Sequence, residues 1–354
     1  MRKIKIVQIG VGHDHALPNF HCVASMTDTF DLAGFVRVEG EEGLKPEFNK
    51  GYEHIPELTL EQAFAIPGLE AALIETEDPE LVTYAHMAAQ KGLHVFMDKP
   101  GSQNAEDFEQ MLSVILKKQK VFAIGYVYRF HPLVQKTLSQ VKEGKLGKLY
   151  SVEAHMSRDD RDEKRRWLEK FHGGMTFFLG CHLIDLIHLF MGTPEEITVL
   201  NACTTPEKHK ADDLAMAAFR YPEGMSFFKV SAAEPGGFMR RQLVVCGSLG
   251  TVEIRPLEEH WEKEAYYCIS QSRSAFRTQK DIPLNWDDKG TIETCAPYHR
   301  YEAMFADFAR RIREDRPSTK EELLREARVH RILLASCGIP CDFKESISLQ
   351  HNRF

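Results

Sequence analysis

The chain has 354 residues, 43% of them hydrophobic and 27% charged: enough to bury a full core without staples and long enough for two domains. Its 45 Lys and Arg stand against 52 Asp and Glu, a net charge of −7, which argues against the basic face that a nucleic-acid partner needs. No apolar run reaches the ~18 residues of a membrane span; Met1-Arg2-Lys3 leads into a strand pattern without a signal-peptide core; and eight cysteines with no CxxC pair read as reduced thiols of a cytoplasmic protein.

Short bounded apolar runs predict five buried strands in the first third, at 4–9, 32–36, 71–74, 93–97 and 121–124. Helices fall between them. Asp78-Pro79 reads as a helix start, with Asp as cap and Pro in the first turn, continuing through Val82, Ala85 and Ala89 to Gly92. Phe108, Met111, Leu112, Ile115 and Leu116 form an apolar helical stripe. Strands alternating with helices predict an α/β domain with a doubly wound parallel sheet of the Rossmann kind. Near Gly125 the rhythm changes. Residues 148–157 alternate, and strand-like runs follow at 197–202, 214–221, 225–232, 242–246 and 251–255, which predicts an α+β domain with an open, mostly antiparallel sheet and helices on one face. One helix runs over 182–191 and stops at Gly192. Another carries Met304, Phe305, Phe308 and Ile312. The last opens on a capping box at Ser318-Thr319-Lys320-Glu321 and closes near Gly338. Residues 258–289 are polar and irregular. The expected division is 1–125 and 126–354.

Gly10-Val11-Gly12-His13-Asp14-His15 lies where a dinucleotide fingerprint belongs, after the first strand and before the first helix. The first Gly permits the tight turn and the second lets a pyrophosphate reach backbone N–H groups; His15 replaces the third Gly. A plain strand–helix turn is the simpler alternative. His13, Asp14 and His15, with His21 and Cys22 nearby, invite a metal reading. Their spacing fits no standard site, so no metal is expected and the imidazoles are assigned to a phosphate or to the helix start. After the second strand comes Arg37, with Glu39 two residues on. Arg37 can pair with a 2′-phosphate, which tips the choice between NAD and NADP towards NADP; a solvated Arg is the alternative.

Asp98-Lys99-Pro100 sets a charged pair at the carboxyl end of a buried strand, the edge where ligands bind in open α/β sheets. Lys99 can donate to a substrate oxygen there; an exposed Lys–Asp surface pair is the alternative. His182 and Asp185 lie three apart on one helix face, so Asp185 can fix the imidazole tautomer of a general base. A buried structural His, or a metal set with His188, are the other readings. Tyr126 and Arg129 follow the fifth strand, Arg158, Asp159 and Asp160 end the first strand of the second domain, and Trp167 and His172 precede the 182 helix.

The chain resembles the Gfo/Idh/MocA family, the glucose-fructose oxidoreductase and inositol dehydrogenase relatives. The matching pieces are Gly10-Val11-Gly12; Gly92-Leu93-His94-Val95-Phe96-Met97-Asp98-Lys99-Pro100; Tyr128-Arg129-Phe130-His131-Pro132; Gly144-Lys145-Leu146-Gly147; Gly173-Gly174; His182-Leu183-Ile184-Asp185; and Gly247-Ser248-Leu249-Gly250-Thr251. The resemblance implies an NAD(P)-dependent oxidoreductase of a sugar, polyol or related hydroxyl compound, assembled as a homodimer or homotetramer. Lys99 matches the family's catalytic lysine and His182 its catalytic histidine. Lys99 would hold the substrate oxygen while His182 takes the hydroxyl proton. Gly10, Gly12, His13, Asp14, His15, Arg37, Thr76, Asp98, Lys99 and Arg129 are assigned to the cofactor; Lys99, Tyr126, Arg158 and His182 to the substrate. Two departures stand out. Phe178 takes the place of an Asp four residues before the catalytic His, and the family's Thr-Pro-Asn-x-x-His loop reads Thr76-Glu77-Asp78-Pro79-Glu80-Leu81. They leave room for a lyase or hydrolase that uses NAD(P) or a metal, and for a non-catalytic dinucleotide-binding regulator. A bilin-reductase relative is disfavoured by the polar lining.

Overall fold

The computed structural model describes residues 2–41, 51–259, 267–277 and 290–349. Its first sheet is parallel. In chain order the elements are β1 (Ile4–Ile9), α1 (Ala16–Ser25), β2 (Phe30–Val36), α2 (Leu60–Phe64), β3 (Ala71–Ile74), α3 (Leu81–Gln90), β4 (His94–Met97), α4 (Ala105–Lys118) and β5 (Phe122–Ile124). The strand order is β2-β1-β3-β4-β5. Residues of β3 are buried throughout, which is why the strand reads as an unbroken apolar run. Because β1 lies between β2 and β3, successive crossovers leave it in opposite directions. That makes the carboxyl end of β1 and β3 the topological switch point, where such sheets open a crevice.

One expectation changes here. Asp78 does not cap a helix. A 3-10 turn, Asp78–Glu80, precedes α3; Glu77 holds the capping position without a side-chain bond, and Asp78 is buried. Its carboxylate turns inward, towards His13 and Lys99.

The second sheet follows α5 (Pro132–Lys142). Its elements are β6 (Leu149–Ser157), α6 (Asp162–Trp167), a π-helical turn (Thr176–Gly180) running into α7 (Cys181–Met191), then β7 (Glu196–Ala202), β8 (Leu214–Tyr221), β9 (Gly224–Ser231), β10 (Gln242–Gly247), β11 (Gly250–Ile254), β12 (Tyr267–Cys268), β13 (Gln271–Phe276), β14 (Thr291–Thr294) and β15 (Tyr298–His299). Eight strands take the order β14-β13-β11-β10-β6-β9-β8-β7, antiparallel except for the β6/β9 pair. β12 and β15 form a separate pair. Part of the irregular 258–289 stretch becomes β13; residues 260–266 and 278–289 lie outside the described residues. Along β8, Ala215, Ala217, Phe219 and Tyr221 are buried, and along β9 Phe228 and Val230; α7 packs against β6 and β9 on that face. Gly192, at φ 74°, ends α7 as its sequence position predicts.

The chain forms two compact units. One comprises residues 1–126, 301–330 and 346–354; the other comprises 127–300 and 331–345. The chain first passes from one unit to the other after Tyr126. The return of 301–330 is something a single cut does not describe. It follows from α8 (Glu302–Arg313), whose Phe305 ring lies 4.5 Å from Phe96 of β4 and 6.3 Å from Phe30 of β2. α9 (Lys320–Ser336) follows it. Its capping box sits one residue later than expected: Thr319 Oγ1 accepts from Glu322 N–H, and Glu322 Oε2 accepts from Thr319 N–H. Ser318 turns instead to β5, accepting from Phe122 N–H at 2.9 Å.

Candidate active site

In the first unit the glycine turn ends β1 as its sequence requires. Gly10 has φ 90°, and a Cβ there would lie 2.4 Å from Thr76 N, so Thr76 backs directly onto the loop. The loop's amides are committed within the chain. Gly10 N–H donates to Val36 O, His13 N–H to Glu75 O, and His15 N–H to His13 Nδ1. Val11 and Gly12 N–H donate to the two oxygens of Glu41, at 2.9 and 2.8 Å, and Val38 N–H adds a third bond at 3.1 Å. Glu41 is 3% exposed. Burial raises its carboxyl pKa, against the pull of those three amides. A Cβ on Gly12 would meet Glu41 Oε1 at 2.7 Å. The turn is therefore an anion cradle, and the chain supplies the anion. The cradle fits a dinucleotide phosphate provided Glu41 withdraws.

Beside the loop, side chains from the ends of β1, β3 and β4 form a buried polar cluster. Asn19 Nδ2 donates to Glu75 Oε1 at 2.7 Å and to Asp98 Oδ2 at 2.9 Å. His15 Nδ1 lies 3.1 Å from Asp98 Oδ2, and Asp98 Oδ1 accepts from Lys99 N–H at 2.7 Å. His13 Nε2 donates to Lys99 O at 3.1 Å, which with the His15 amide bond leaves Nδ1 unprotonated. Burial holds the His13 pKa down to about 3, so the ring is neutral. Glu75 is raised well above the usual carboxylate range by burial and next by the charge of Asp98. Burial also opposes ionisation of Asp98, but His13, His15 and Lys99 turn its shift downward. Of two neighbouring buried carboxyls, Glu75 keeps the proton and Asp98 the charge. Lys99 is 1% exposed, its Nζ 3.9 Å from Asp78 Oδ1. Its expected alternative, an exposed surface pair, does not describe it.

Other assigned residues of this unit stand apart. Arg37 Nε lies 3.2 Å from Glu57, with its guanidinium over the Phe35 ring. Tyr126 is buried. His21 is exposed and Cys22 is buried among the apolar residues of α1, its thiol pushed up to about 12 by burial. Among the described residues, His13, His15 and Asp98 form the group whose donor atoms lie within 4.8 Å of one another.

In the second unit, His182 is buried on the first turn of α7, and the Tyr128 ring meets it edge-on at 5.1 Å between centroids. Asp185 is held by Arg129, whose Nε lies 2.9 Å from both carboxylate oxygens and whose Nη2 lies 2.5 Å from one. Both residues were assigned to the site separately; the fold makes them a pair. Arg158 Nε donates to Asp160 at 2.9 Å. Phe178 is buried 5.3 Å from the Trp167 ring, with Lys164 Nζ 4.7 Å and the Arg158 guanidinium 5.7 Å from its centroid. An aromatic box with cations on its faces thus stands where the family pattern has a carboxylate.

Sequence reasoning missed Asn19, Glu41, Glu75 and Asp78. A cue existed for two of them: Glu75 and Asp78 follow an apolar strand at its ligand-binding end. Asn19 interrupts an otherwise mostly apolar stretch of α1. Nothing local marks Glu41, which reaches the loop across thirty residues.

Residues 4–126 match the family model described as "Oxidoreductase family, NAD-binding Rossmann fold", and residues 134–253 match "GFO/IDH/MocA C-terminal domain". The chain is 26% identical over 141 residues to D-xylose 1-dehydrogenase (NADP(+)) 2 of Haloferax volcanii, covering 39% of this chain and 43% of that one. It is 26% identical over 204 residues to scyllo-inositol 2-dehydrogenase (NADP(+)) IolW of Bacillus subtilis, covering 56% and 55%. The matched stretches thus span about half the length of these relatives. A solved levoglucosan dehydrogenase in complex with NADH and levoglucosan superposes with a TM-score of 0.75, at 16% identity, over 95% of this chain and 98% of that one. At that identity the likeness speaks for the fold alone.

Proposed function

The chain belongs to the Gfo/Idh/MocA family, and from that premise we propose that it is an NAD(P)-dependent oxidoreductase of a sugar, polyol or related hydroxyl or keto compound. The observation that carries this reading is the glycine turn, whose amides grip a carboxylate at the switch point of a parallel sheet, beside a buried lysine. When bound, the nicotinamide supplies the hydride chemistry. The chain's residues do the rest. Gly10, Gly12, His13, Asp14, His15, Thr76 and Asp98 line the cofactor's place, and Arg37 faces its adenosine end. Lys99 holds the reacting oxygen, and its burial strengthens that hydrogen bond. His182 moves the hydroxyl proton. Asp185 acts through Arg129, whose guanidinium it holds. Tyr126 and Arg158 contribute to substrate binding.

Two coarser features accompany this reading. Among the described residues no helix is long and apolar enough to cross a membrane. Eight free cysteines fit a reducing cytoplasm. The open face of the second sheet supports a homodimer or homotetramer.

The test is turnover with NAD(H) and NADP(H) across a sugar and polyol panel. Lys99→Ala and His182→Ala should each lower kcat by at least ~100-fold, as loss of an acid–base group does. Near-normal turnover in both variants would remove these residues from the chemistry. Nucleotide binding without turnover on any substrate would leave a regulator.

A further inference from the structure

We propose that His13, His15 and Asp98, with Glu75 as a fourth oxygen ligand, form a binding site for a first-row divalent metal ion at the carboxyl edge of the parallel sheet. Within the sequence the His-x-His pair lacks partners at metal spacing; the fold brings them from the ends of β3 and β4.

The donors of His13, His15 and Asp98 all lie within 4.8 Å of one another, and the donor pairs that can be compared stand near ligand spacing. A four-coordinate ion with ligand bonds of about 2.0–2.1 Å needs its ligand atoms about 3.3 Å apart. Asp98 Oδ2 lies 3.4 Å from His13 Nδ1 and 3.1 Å from His15 Nδ1, and Glu75 Oε2 lies 3.7 Å from His13 Nδ1. Glu75 is fully buried and its Oε2 faces His13 Nδ1, so the fold brings a further oxygen donor to the edge of this group.

The surroundings are those of ligands held in place. His13 donates through Nε2 to Lys99 O, which directs Nδ1 at the cluster; Asn19 Nδ2 bridges the two carboxylates from behind. Glu75 and Asp98 are both buried here, and an ion that takes Glu75 Oε2 as a ligand would displace the proton Glu75 carries. The competing interactions are the His15 amide, which donates to His13 Nδ1 at 3.1 Å, and the His15–Asp98 hydrogen bond. An ion exchanges these two bonds for ligand bonds. Two imidazoles with carboxylates suit zinc, iron, cobalt or manganese rather than calcium or magnesium. His15 is the half-buried member, so an ion has a way in.

The site is tested on the full chain, with no nucleotide or substrate present, so that its failure is separable from failure of the oxidoreductase reading. Protein prepared without a metal-affinity tag or chelator is analysed for bound metal, then titrated with zinc by calorimetry. Cobalt(II) is added in parallel and its visible spectrum recorded. One metal per chain is expected, with the intense visible bands of low-coordinate cobalt. His15→Ala should weaken zinc binding by at least ~10-fold, with folding checked by circular dichroism. A zinc stoichiometry far below one together with a water-like cobalt spectrum would overturn the proposal, and the cobalt spectrum of the unmutated chain decides even if the variant misfolds. Zinc binding that His15→Ala leaves unchanged would overturn it as well.

Discussion

Glu41 holds the loop amides that the proposed cofactor would need. Its carboxylate takes two amides of the loop that would otherwise hold phosphate, at 2.8 and 2.9 Å. Hydrogen bonds to a charged group contribute roughly 1.5–3 kcal/mol each before the rival ligand's own bonds are counted. Removing the competitor should therefore favour the dinucleotide. Glu41→Ala is expected to tighten NAD(H) or NADP(H) binding by roughly tenfold, or about 1.4 kcal/mol, read by fluorescence titration. Weaker binding in the variant would mean that Glu41 is a ligand of the cofactor and not its rival. At this scale the site was half legible. Gly10, Gly12, Lys99 and His182 are marked by their neighbours in the chain: a glycine spacing, a proline turn, a helix start. Glu41 and Asn19 act only through folding, and a side chain thirty residues away leaves no local signature.

The elements were legible where periodicity alone decides them. The stripe Met304, Phe305, Phe308 and Ile312 makes α8 certain, and all four residues are buried. Periodicity says which face is apolar but not what it covers, so assigning α8 to the first sheet needed the Phe305–Phe96 contact. Asp78 shows the reverse error. Asp-Pro is a sound helix-start signal, but the local preference lost to the His13 ring and the Lys99 ammonium, reached from other strands. α5 carries a cap of another kind, and with it a pH dependence. His131 Nδ1 accepts from Leu133 N–H at 3.1 Å, while Nε2 donates to Leu257 O at 2.8 Å. Burial lowers its pKa from 6.5 to about 4. The unfolded chain therefore takes up this proton before the folded one does. The contribution is complete above about pH 6.5 and is lost as the pH falls towards 4, by up to about 3 kcal/mol. His131→Asn keeps a capping side chain without the titration. Its thermal midpoint should fall less between pH 7 and pH 5 than that of the unmutated chain. Equal falls would place the acid sensitivity elsewhere.

For the molecule as a whole, the second sheet raises a question of covering. On one face α7 packs against β6 and β9; on the other, β-register sets apolar side chains next to each other in the open. Leu200 pairs with Met216, and Phe227 pairs with Ala218 on one side and Glu153 on the other. Met225 is 65% exposed, Leu200 60%, and Met216 and Phe227 more than a third. Scattered singly these would need no explanation, but adjacent on one sheet they form a patch of the kind that marks an interface. A twofold copy of the same face is the simplest cover, since a closed dimer leaves no unmatched patch. A stable pair typically buries about 1,600 Å² in total, which a sheet of eight strands supplies readily. Lys229 and Glu153 neighbour Met216 and Phe227 along the same face, so added charge there meets charge already present. Phe227→Lys with Met225→Lys, both on solvent-facing positions of β9, should leave folding intact by circular dichroism while sedimentation velocity shows the oligomer reduced to monomer. If both the unmutated chain and the variant sediment as monomers at micromolar concentration, the patch serves no self-association and the homo-oligomer is withdrawn.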